Sequence, residues 1–255
     1  MDDIYNTTYL KIADLTGRHE KLNHLSWDEL REIGKITGLN EKKIILDVCC
    51  GRGGIAKLYA GEFGCRVKGI DASKTLIDDA KVQIEEAELS SLVDLEVGLI
   101  PDSLNRFADY DIVICIESLC HIANRDHVIA ELKRKVKKDG YLVIHDWIIK
   151  DQKYHSRVKD LLEKWHFPSL ETAKSYVEHF EKHRIKIVRH NDLTESLIAF
   201  RKSLYKRCKE VKEEVERLLG KGSSDEYLSL VRLAKEYAEA GYLGAILLIG
   251  VPNFD

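Results

Sequence analysis

The sequence predicts an α/β protein with a doubly wound, mostly parallel, seven-stranded sheet, helices on both faces of the sheet and a helical cover. Three observations lead to this prediction. Apolar strand patterns alternate with helical patterns over residues 41–150. A glycine-rich turn joins the first strand pattern to the helical pattern behind it. Two further strand patterns follow in residues 151–255, which brings the expected number of strands to seven.

Strands that are separated by helices are expected to pair in parallel through right-handed crossovers. The helix before the fifth strand is expected to begin after an N-cap at Asn124 and to end at Asp139-Gly140. A later helix is expected from about Ser169 to Lys182. The predicted strands are Ile44–Val48, Arg66–Ile70, Asp94–Val97, Asp111–Ile116, Tyr141–His145, Arg184–Arg189 and Ala245–Val251.

Two segments outside the alternating pattern are predicted to cover the sheet. The first has a capping box, Ser26 and Glu29, that opens a helix. The second has apolar residues at helical spacing from Leu204 to Leu218. Both apolar stripes must be buried, so we expect both segments to lie over the carboxyl edge of the sheet as a mobile cover. The predicted division is 1–40 for an N-terminal helical cover, 41–192 for the core, 193–240 for a helical insertion that acts as a lid, and 241–255 for a terminal strand returning to the core sheet.

The composition of the chain argues against several classes of binding partner. The formal charge is −3, with 40 basic residues scattered among 43 acidic ones, so no concentrated basic surface for nucleic acid is expected. No apolar run reaches the ~20 residues of a membrane span. The six cysteines form no CxxC pair and are expected to be reduced and buried, with no metal site. With no signal-peptide pattern in Met1–Tyr9, we expect a cytoplasmic protein. The oligomeric state stays open.

The turn after the first strand is glycine-rich and can bring backbone N–H groups close to a ligand. Gly51, Gly53 and Ala56 also satisfy the GxGxxA form of a dinucleotide fingerprint, so a dinucleotide site and a bare structural turn both remain open at this point. The turn and the start of the following helix are Asp47-Val48-Cys49-Cys50-Gly51-Arg52-Gly53-Gly54-Ile55-Ala56.

Acidic residues follow four successive strands, and the carboxyl ends of parallel strands share one edge of a sheet. Such an acidic rim would repel a pyrophosphate and attract a cationic ligand. Asp71 lies 24 residues after Asp47 and can accept hydrogen bonds from both hydroxyls of a ribose. The alternative role for Asp71 is a helix cap, although Ser73 is already a suitable cap. The four acids are Asp47, Asp71, Asp102 and Glu117.

These segments resemble motifs of the class I S-adenosylmethionine-dependent methyltransferases. The similarity is greatest to the small-molecule branch, which includes the sterol, tocopherol, ubiquinone-type and phosphoethanolamine enzymes. It covers roughly residues 40–200 and the terminal strand. The segments that carry it are Asp47–Gly54, Gly69–Ser73, Asp111–Ile122, Gly140–Trp147 and Asn191–Thr194.

The resemblance implies S-adenosyl-L-methionine as cofactor, S-adenosyl-L-homocysteine as product, and a small-molecule acceptor with an oxygen, nitrogen or carbon nucleophile. It implies that Gly51 and Gly53 shape the loop under the methionine portion and that Asp47 holds this loop and the amino group. Asp71 would bind the ribose, and Glu117 would lie near the methionine end. The predicted cofactor-binding residues are Asp47, Cys49, Gly51, Gly53, Asp71, Ala72, Ser73, Asp102 and Glu117.

The sequence departs from the family pattern at two positions. Cys49 stands where the family has its first glycine, so we expect a negative φ there. The acid that the family often places after the third strand, facing the adenine, is missing from Val97-Gly98-Leu99-Ile100. Either Asp102 reaches the adenine or backbone groups bind it.

Methyl transfer is an in-line displacement, in which the enzyme aligns the reactants and excludes water. His121 and Glu117 are the predicted catalytic residues. His121 is either a base that takes the acceptor's proton or a structural histidine at a helix start. His145 and Asp146 are expected near the same pocket. A dinucleotide-dependent oxidoreductase and a non-catalytic S-adenosylmethionine-binding module remain alternative hypotheses.

Overall fold

The computed structural model describes residues 7–254, with side chains from residue 9 onward. The first six residues of the predicted N-terminal cover and the last residue of the terminal strand segment lie outside this described part. Seven strands form one sheet in the order β3-β2-β1-β4-β5-β7-β6. The strands are β1 (Ile44–Val48), β2 (Arg66–Asp71), β3 (Val93–Val97), β4 (Tyr110–Ile116), β5 (Val136–Ile149), β6 (Ile185–Asp192) and β7 (Leu243–Pro252).

The pairing confirms the mostly parallel, doubly wound sheet. Strands β1 to β5 pair in parallel, and β7 lies antiparallel between β5 and β6. The strand order reverses between β1 and β4, which are neighbours in the sheet. A crevice opens at such a switch point, outside the carboxyl ends of the strands. The loops after β1 and β4 therefore lie side by side at this crevice.

Ten helices are described, and three of them begin at the caps that the sequence indicates, Ser26, Ser73 and Asn124. The Ser26–Glu29 capping box forms in full, and the side chain of Asn124 accepts a hydrogen bond from His127 N. The helices are α1 (Thr7–Leu15), α2 (Trp27–Ile36), α3 (Gly54–Phe63), α4 (Lys74–Glu86), α5 (Arg125–Lys133), α6 (Lys159–Lys164), α7 (Ala173–Lys182), α8 (Thr194–Glu210), α9 (Lys212–Leu219) and α10 (Asp225–Glu239). Short 3-10 helices cover Asp102–Arg106, Leu119–His121 and Gln152–Arg157.

Two predicted helix boundaries are wrong. The helix before β5 ends at Lys133 instead of Asp139-Gly140, and β5 already begins at Val136, so the left-handed Asp139 (φ +62°) lies within the strand segment. A Cβ on Gly140 would lie 2.6 Å from the carbonyl oxygen of Asp111, so the backbone of β5 packs closely against β4 here. The helix expected from Ser169 begins at Ala173, where the side chain of Thr172 supplies the N-cap.

Apolar clusters cover both faces of the sheet, and a smaller cluster joins the two predicted covering segments. Ile12 of α1 packs with Val211 and Val215 at the start of α9. The N-terminal helix and the insertion therefore bury their apolar stripes partly against each other. Within the described residues, every helix is too short or too polar to cross a bilayer.

Candidate active site

A cavity of about 450 Å³ opens at the carboxyl edge of the sheet. The loops after β1, β2, β3 and β4 form one side of it, which we call the sheet-edge wall. Its residues are Cys49–Arg52, Gly54, Ile55, Asp71, Ala72, Leu76, Gly98–Ile100, Ile116–Ser118 and Cys120–Ile122. The opposite side, the cover wall, consists of Tyr9, Ile12, Arg18, Lys21–Asn23, Trp147, Lys164–Phe167, Arg201, Ser223, Glu226, Tyr227 and Leu230. Both predicted covering segments thus contribute to one cavity.

Glycines allow the close approaches in the loop after β1. Gly51 has a φ of +54°, and nothing lies within 4 Å of the place where its Cβ would be. Its lack of a side chain keeps this part of the cavity open. Gly53 has a φ of +74° at the N-cap of α3. A Cβ on Gly54 would lie 2.4 Å from the carbonyl oxygen of Glu20, so the N-terminal segment rests directly on the loop.

The expectation of a negative φ at Cys49 is wrong, because this residue has a φ of +59°. The left-handed conformation costs a residue with a side chain about 1–2 kcal/mol. The turn imposes it: Cys50 N donates to the carbonyl oxygen of Ile70 at 3.0 Å, and Gly53 N donates to that of Cys50. The thiol of Cys49 lies against the buried thiol of Cys115. This cysteine therefore takes the glycine conformation and packs its side chain into the core.

The Asp71 carboxylate lies on the sheet-edge wall and connects two loops. Its Oδ2 accepts a hydrogen bond from Gly51 N at 2.9 Å, and its Oδ1 accepts one from Ser73 N at 2.9 Å. Ser73 itself caps α4, since its Oγ accepts from Leu76 N at 3.2 Å. Asp71 therefore holds the loop after β1 against the loop after β2, while Ser73 performs the capping role.

The structure does not gather all four strand-end acids on the cavity wall. Asp71 and Glu117 line the cavity, whereas Asp47 lies below the loop with 1% of its surface exposed. Asp102 is exposed on a 3-10 helix away from the wall. Beside the loop after β3, the cavity meets Gly98, Leu99 and Ile100 instead. Gly53 and Ser73 also lie behind the wall, while Cys49, Gly51 and Ala72 are part of it.

Asp47 is a buried acid that lacks a full set of partners. Its Oδ2 has no hydrogen-bond partner in the described part of the chain. Burial raises the pKa of Asp47 to about 7, and the nearby Asp71 adds to this effect. A cationic group bound above the loop would favour the ionised form of this carboxyl.

Glu117 follows β4 and is held by hydrogen bonds on both oxygens. Oε1 accepts from His24 N at 2.5 Å, and Oε2 accepts from Trp147 Nε1 at 3.1 Å. Burial opposes ionisation, but His24 and His145 beside it hold the pKa of Glu117 well below its usual range. This side chain is therefore a fixed negative charge at the junction of the two walls.

Among residues 7–254, one group of side chains has the donor atoms for a metal ion. The ligand atoms of His24, Glu117 and His145 lie within 4.8 Å of one another. His145 Nδ1 bonds to the carbonyl oxygen of Ile246 at 2.8 Å, which leaves Nε2 at 3.6 Å from Glu117 Oε1. Burial lowers the pKa of His24, and the charge of Arg201 lowers it further. These three side chains are a candidate metal-binding group, and the expected absence of a metal site stays a prediction.

His121 lines the cavity at the end of the 3-10 helix Leu119–His121. Its ring makes an edge contact with Phe167, with ring centroids 4.7 Å apart. Burial lowers the pKa of His121 to about 4, and the charges of His166 and Arg125 add to this. The imidazole is therefore neutral at pH 7 and can accept a proton, but it is a weak base.

His145 and Asp146 are fully buried and do not line the cavity, contrary to expectation. Strand β5 continues past them to Ile149, because it pairs with β7 over this stretch. Asp146 accepts hydrogen bonds from the hydroxyl of Tyr176 at 2.6 Å and from Trp147 N at 2.9 Å. The strand therefore buries both side chains in the core.

Sequence reasoning missed the basic residues of the cover wall. Arg18 donates from Nη1 to the hydroxyl of Tyr227 at 2.6 Å, which links the N-terminal segment to α10. Nothing local predicts this contact. The helical periodicity of the sequence could have indicated Arg201, because this residue lies on α8 in line with the buried residues Leu197, Leu204 and Cys208. An arginine in an apolar stripe is uncommon and points to a specific role.

A family model described as "Methyltransferase domain" matches residues 46–144, from β1 into β5. This part of the chain is therefore similar to methyltransferase domains. The match confirms the family resemblance of the core motifs and supports the prediction of an enzyme.

Relatives with assigned functions are methyltransferases of small molecules. A glycine/sarcosine/dimethylglycine N-methyltransferase of Actinopolyspora halophila is 25% identical over 218 residues, covering 85% of this chain and 38% of the relative. Sterol 24-C-methyltransferase ERG6 of Saccharomyces cerevisiae is 29% identical over 115 residues, which cover 45% of this chain and 30% of the relative. The chain thus spans less than two fifths of the length of these relatives.

Solved structures share the fold over almost the whole chain. Phosphoethanolamine N-methyltransferase 2 of Haemonchus contortus, in complex with phosphomonomethylethanolamine and S-adenosylhomocysteine, has a TM-score of 0.80. It is 18% identical, and the match covers 98% of this chain and 59% of that one. At such identity the likeness shows the fold.

Proposed function

We propose that this protein transfers the methyl group of S-adenosyl-L-methionine to a small-molecule acceptor. The observation that carries the proposal is the sheet-edge wall, where Asp71 and Glu117 flank the open Gly51 loop. The basic residue of that loop, Arg52, is already paired with Asp14 and Asp79, so the charge of Asp71 and Glu117 suits a cationic ligand better than a pyrophosphate. The match to the methyltransferase family model covers the same strands.

The residues of the sheet-edge wall have distinct roles in this proposal. Asp71 accepts hydrogen bonds from the ribose hydroxyls, and its bonds to Gly51 N and Ser73 N keep the carboxylate in place. The backbone and apolar groups of Gly98, Leu99 and Ile100 hold the adenine, in preference to the exposed Asp102. Asp47 and Glu117 supply negative charge near the methionine end. When bound, the cofactor supplies a methyl group on a positively charged sulfur.

The cover wall supplies the dry environment that methyl transfer requires. Residues of α1 and α10 close the cavity over the sheet edge, so water is excluded from the reacting atoms. His121 is neutral at pH 7 and lines the cavity between the two walls, where it accepts the proton that the acceptor loses. A cavity of about 450 Å³ fits a cofactor and a small acceptor better than a nucleic acid. Six free cysteines favour a reducing compartment, so we place the protein in the cytoplasm.

Titration calorimetry with three ligands tests the proposal. We expect S-adenosylmethionine and S-adenosylhomocysteine to bind, and NAD to bind far more weakly. Tighter binding of NAD would support the dinucleotide-dependent oxidoreductase instead. Cofactor binding without methyl transfer to any of a broad panel of acceptors would favour a non-catalytic binding module.

A further inference from the structure

Arg201 is a buried cation that forms no hydrogen bond with the part of the chain that the structure describes. It lies on α8 and lines the cavity, with 1% of its surface exposed. Its Nε and Nη1 atoms have no hydrogen-bond partner among the described residues. Burying a charge in this way is costly unless another group compensates for it.

The other buried arginines of the described chain show what is missing at Arg201. Arg125 donates to the carbonyl oxygens of Cys120 and Ser169 and to the hydroxyl of Ser169. Arg52 pairs with Asp14 and Asp79. Arg125 and the buried Arg18 each leave only Nε without a partner and donate from their other nitrogens. Arg201 differs because both its Nε and its Nη1 lack partners, and it lines a cavity.

Aromatic rings surround the guanidinium of Arg201 and leave its N–H groups as the available contacts. Its Cζ lies 4.2 Å from the ring centroid of Trp147 and 5.0 Å from that of Trp165. Cation–π contacts stabilise the faces of a guanidinium but satisfy none of its hydrogen bonds. Both tryptophans line the same cavity as Arg201, so its unsatisfied N–H groups lie in a part of the cavity that is otherwise aromatic.

We propose that Arg201 binds an anionic group, a carboxylate or a phosphate, on the methyl acceptor. This proposal rests on the proposed function, because it assigns the acceptor half of the same cavity. A planar guanidinium matches either anion with two parallel hydrogen bonds. Aromatic rings beside it exclude water, which strengthens such a pair.

Arg201 lies among aromatic side chains at the Glu117 end of the cavity, since Trp147 contacts its guanidinium and donates to Glu117. Its contacts are with Trp147 at the end of β5, with Trp165 and with Phe200. The glycine loop and Asp71 lie on the opposite, sheet-edge wall. Burial lowers the pKa of Arg201 to about 10, and the charge of Glu117 opposes this effect. The guanidinium is therefore charged at neutral pH and able to hold an anion.

The test uses the full chain saturated with S-adenosylhomocysteine, with sodium acetate and inorganic phosphate as probes. Ionic strength is kept constant with sodium chloride. The variants are Arg201→Met, which keeps the length of the side chain without its charge, and Arg201→Lys, which keeps the charge without the planar fork. Arg232→Met is the matched control, because Arg232 is half exposed and pairs with Glu236 on the surface of α10. Anion affinity comes from calorimetry and from the rise in the unfolding midpoint.

We expect acetate or phosphate to bind the unchanged chain and Arg232→Met equally, and to bind Arg201→Met at least tenfold more weakly. Arg201→Lys should retain an intermediate affinity. Without anions, Arg201→Met should unfold at a midpoint no lower than that of the unchanged chain, since it removes an unsatisfied buried charge. A structural arginine would instead lower the midpoint when replaced.

Three results would overturn the inference. The first is that neither anion binds the unchanged chain. The second is that both anions bind Arg201→Met as tightly as they bind the unchanged chain. The third is that Arg201→Met loses affinity for S-adenosylhomocysteine by tenfold or more. The last result would assign Arg201 to the carboxylate of the cofactor. Failure of the unchanged chain to bind S-adenosylhomocysteine would contradict the proposed function alone, and the same anion titrations on the ligand-free chain would still decide the role of Arg201.

Discussion

The two walls of the cavity differ in how their charged groups are satisfied. On the sheet-edge wall, both oxygens of Asp71 accept hydrogen bonds from backbone N–H groups of neighbouring loops. On the cover wall, Arg201 has two nitrogens without partners. The sheet edge is preorganised by its own backbone, whereas two nitrogens of Arg201 on the cover wall are left for the anionic group proposed above. This difference suits a constant cofactor on one side and a specific acceptor on the other.

The largest expected effect tests the preorganised wall. Asp71→Ala should weaken the binding of S-adenosylhomocysteine by about 2–4 kcal/mol, because charge-assisted hydrogen bonds to the ribose are lost. Calorimetry measures the affinity, and circular dichroism checks that the fold is intact. Asp78→Ala is the control, since Asp78 is an exposed partner of Lys74 on α4. Binding as tight as in the unchanged chain would mean that Asp71 only holds the loops together.

A smaller effect is expected from the buried acid beneath the loop. The pKa of Asp47 is raised to about 7 by burial and by Asp71. Its contribution to the stability of the folded state is therefore fully present below about pH 4 and is lost as the pH rises through 7. Asp47→Asn should therefore raise the free energy of unfolding of the ligand-free chain at pH 8 by roughly 2 kcal/mol, and hardly change it at pH 4.

Urea denaturation at both pH values measures the effect of Asp47→Asn. An equal change at the two pH values would show that Asp47 does not titrate in this range. If Asp47 also serves the amino group of the cofactor, the same variant should bind S-adenosylmethionine more weakly than the unchanged chain does.

Hydrogen exchange tests whether the cover moves. Addition of S-adenosylhomocysteine should slow exchange by about tenfold in residues 18–23 and 223–230, which line the cavity on the cover side. Protection confined to residues 51–54 would mean that the covering helices are static. The core strand β4 serves as the internal reference, because its exchange should not change.

The smallest expected effect concerns His121. With a pKa of about 4, its imidazole is neutral throughout pH 6–8, so methyl transfer should show no decline toward pH 6 that can be assigned to its protonation. A pH–rate profile of the unchanged chain beside His121→Gln checks this once an acceptor is available. A limb near pH 6.5 that disappears in His121→Gln would contradict the buried, neutral histidine.

Much of the sheet-edge wall could be predicted because its signals are local. The glycine loop, Asp71 and Glu117 each follow a short apolar strand, and the strand alternation places their ends at one edge. Asp102 illustrates the limit of this reasoning. It also follows a strand, but a 3-10 helix intervenes and leaves its side chain exposed. Which residue of a loop faces the ligand depends on the turn, not on its distance from the strand.

The sequence by itself determined the class of fold, the strand alternation and the glycine-rich loop that lines the cavity, because periodicity and glycine content act over a few residues. Only the tertiary structure decided the left-handed conformation of Cys49, the burial of His145 by its pairing with β7, and the place of Arg201 between two tryptophans. An apolar stripe shows which face of a helix is buried but not what it is buried against. The partners of Arg201 come from residues 147 and 165, and such long-range contacts are set by packing.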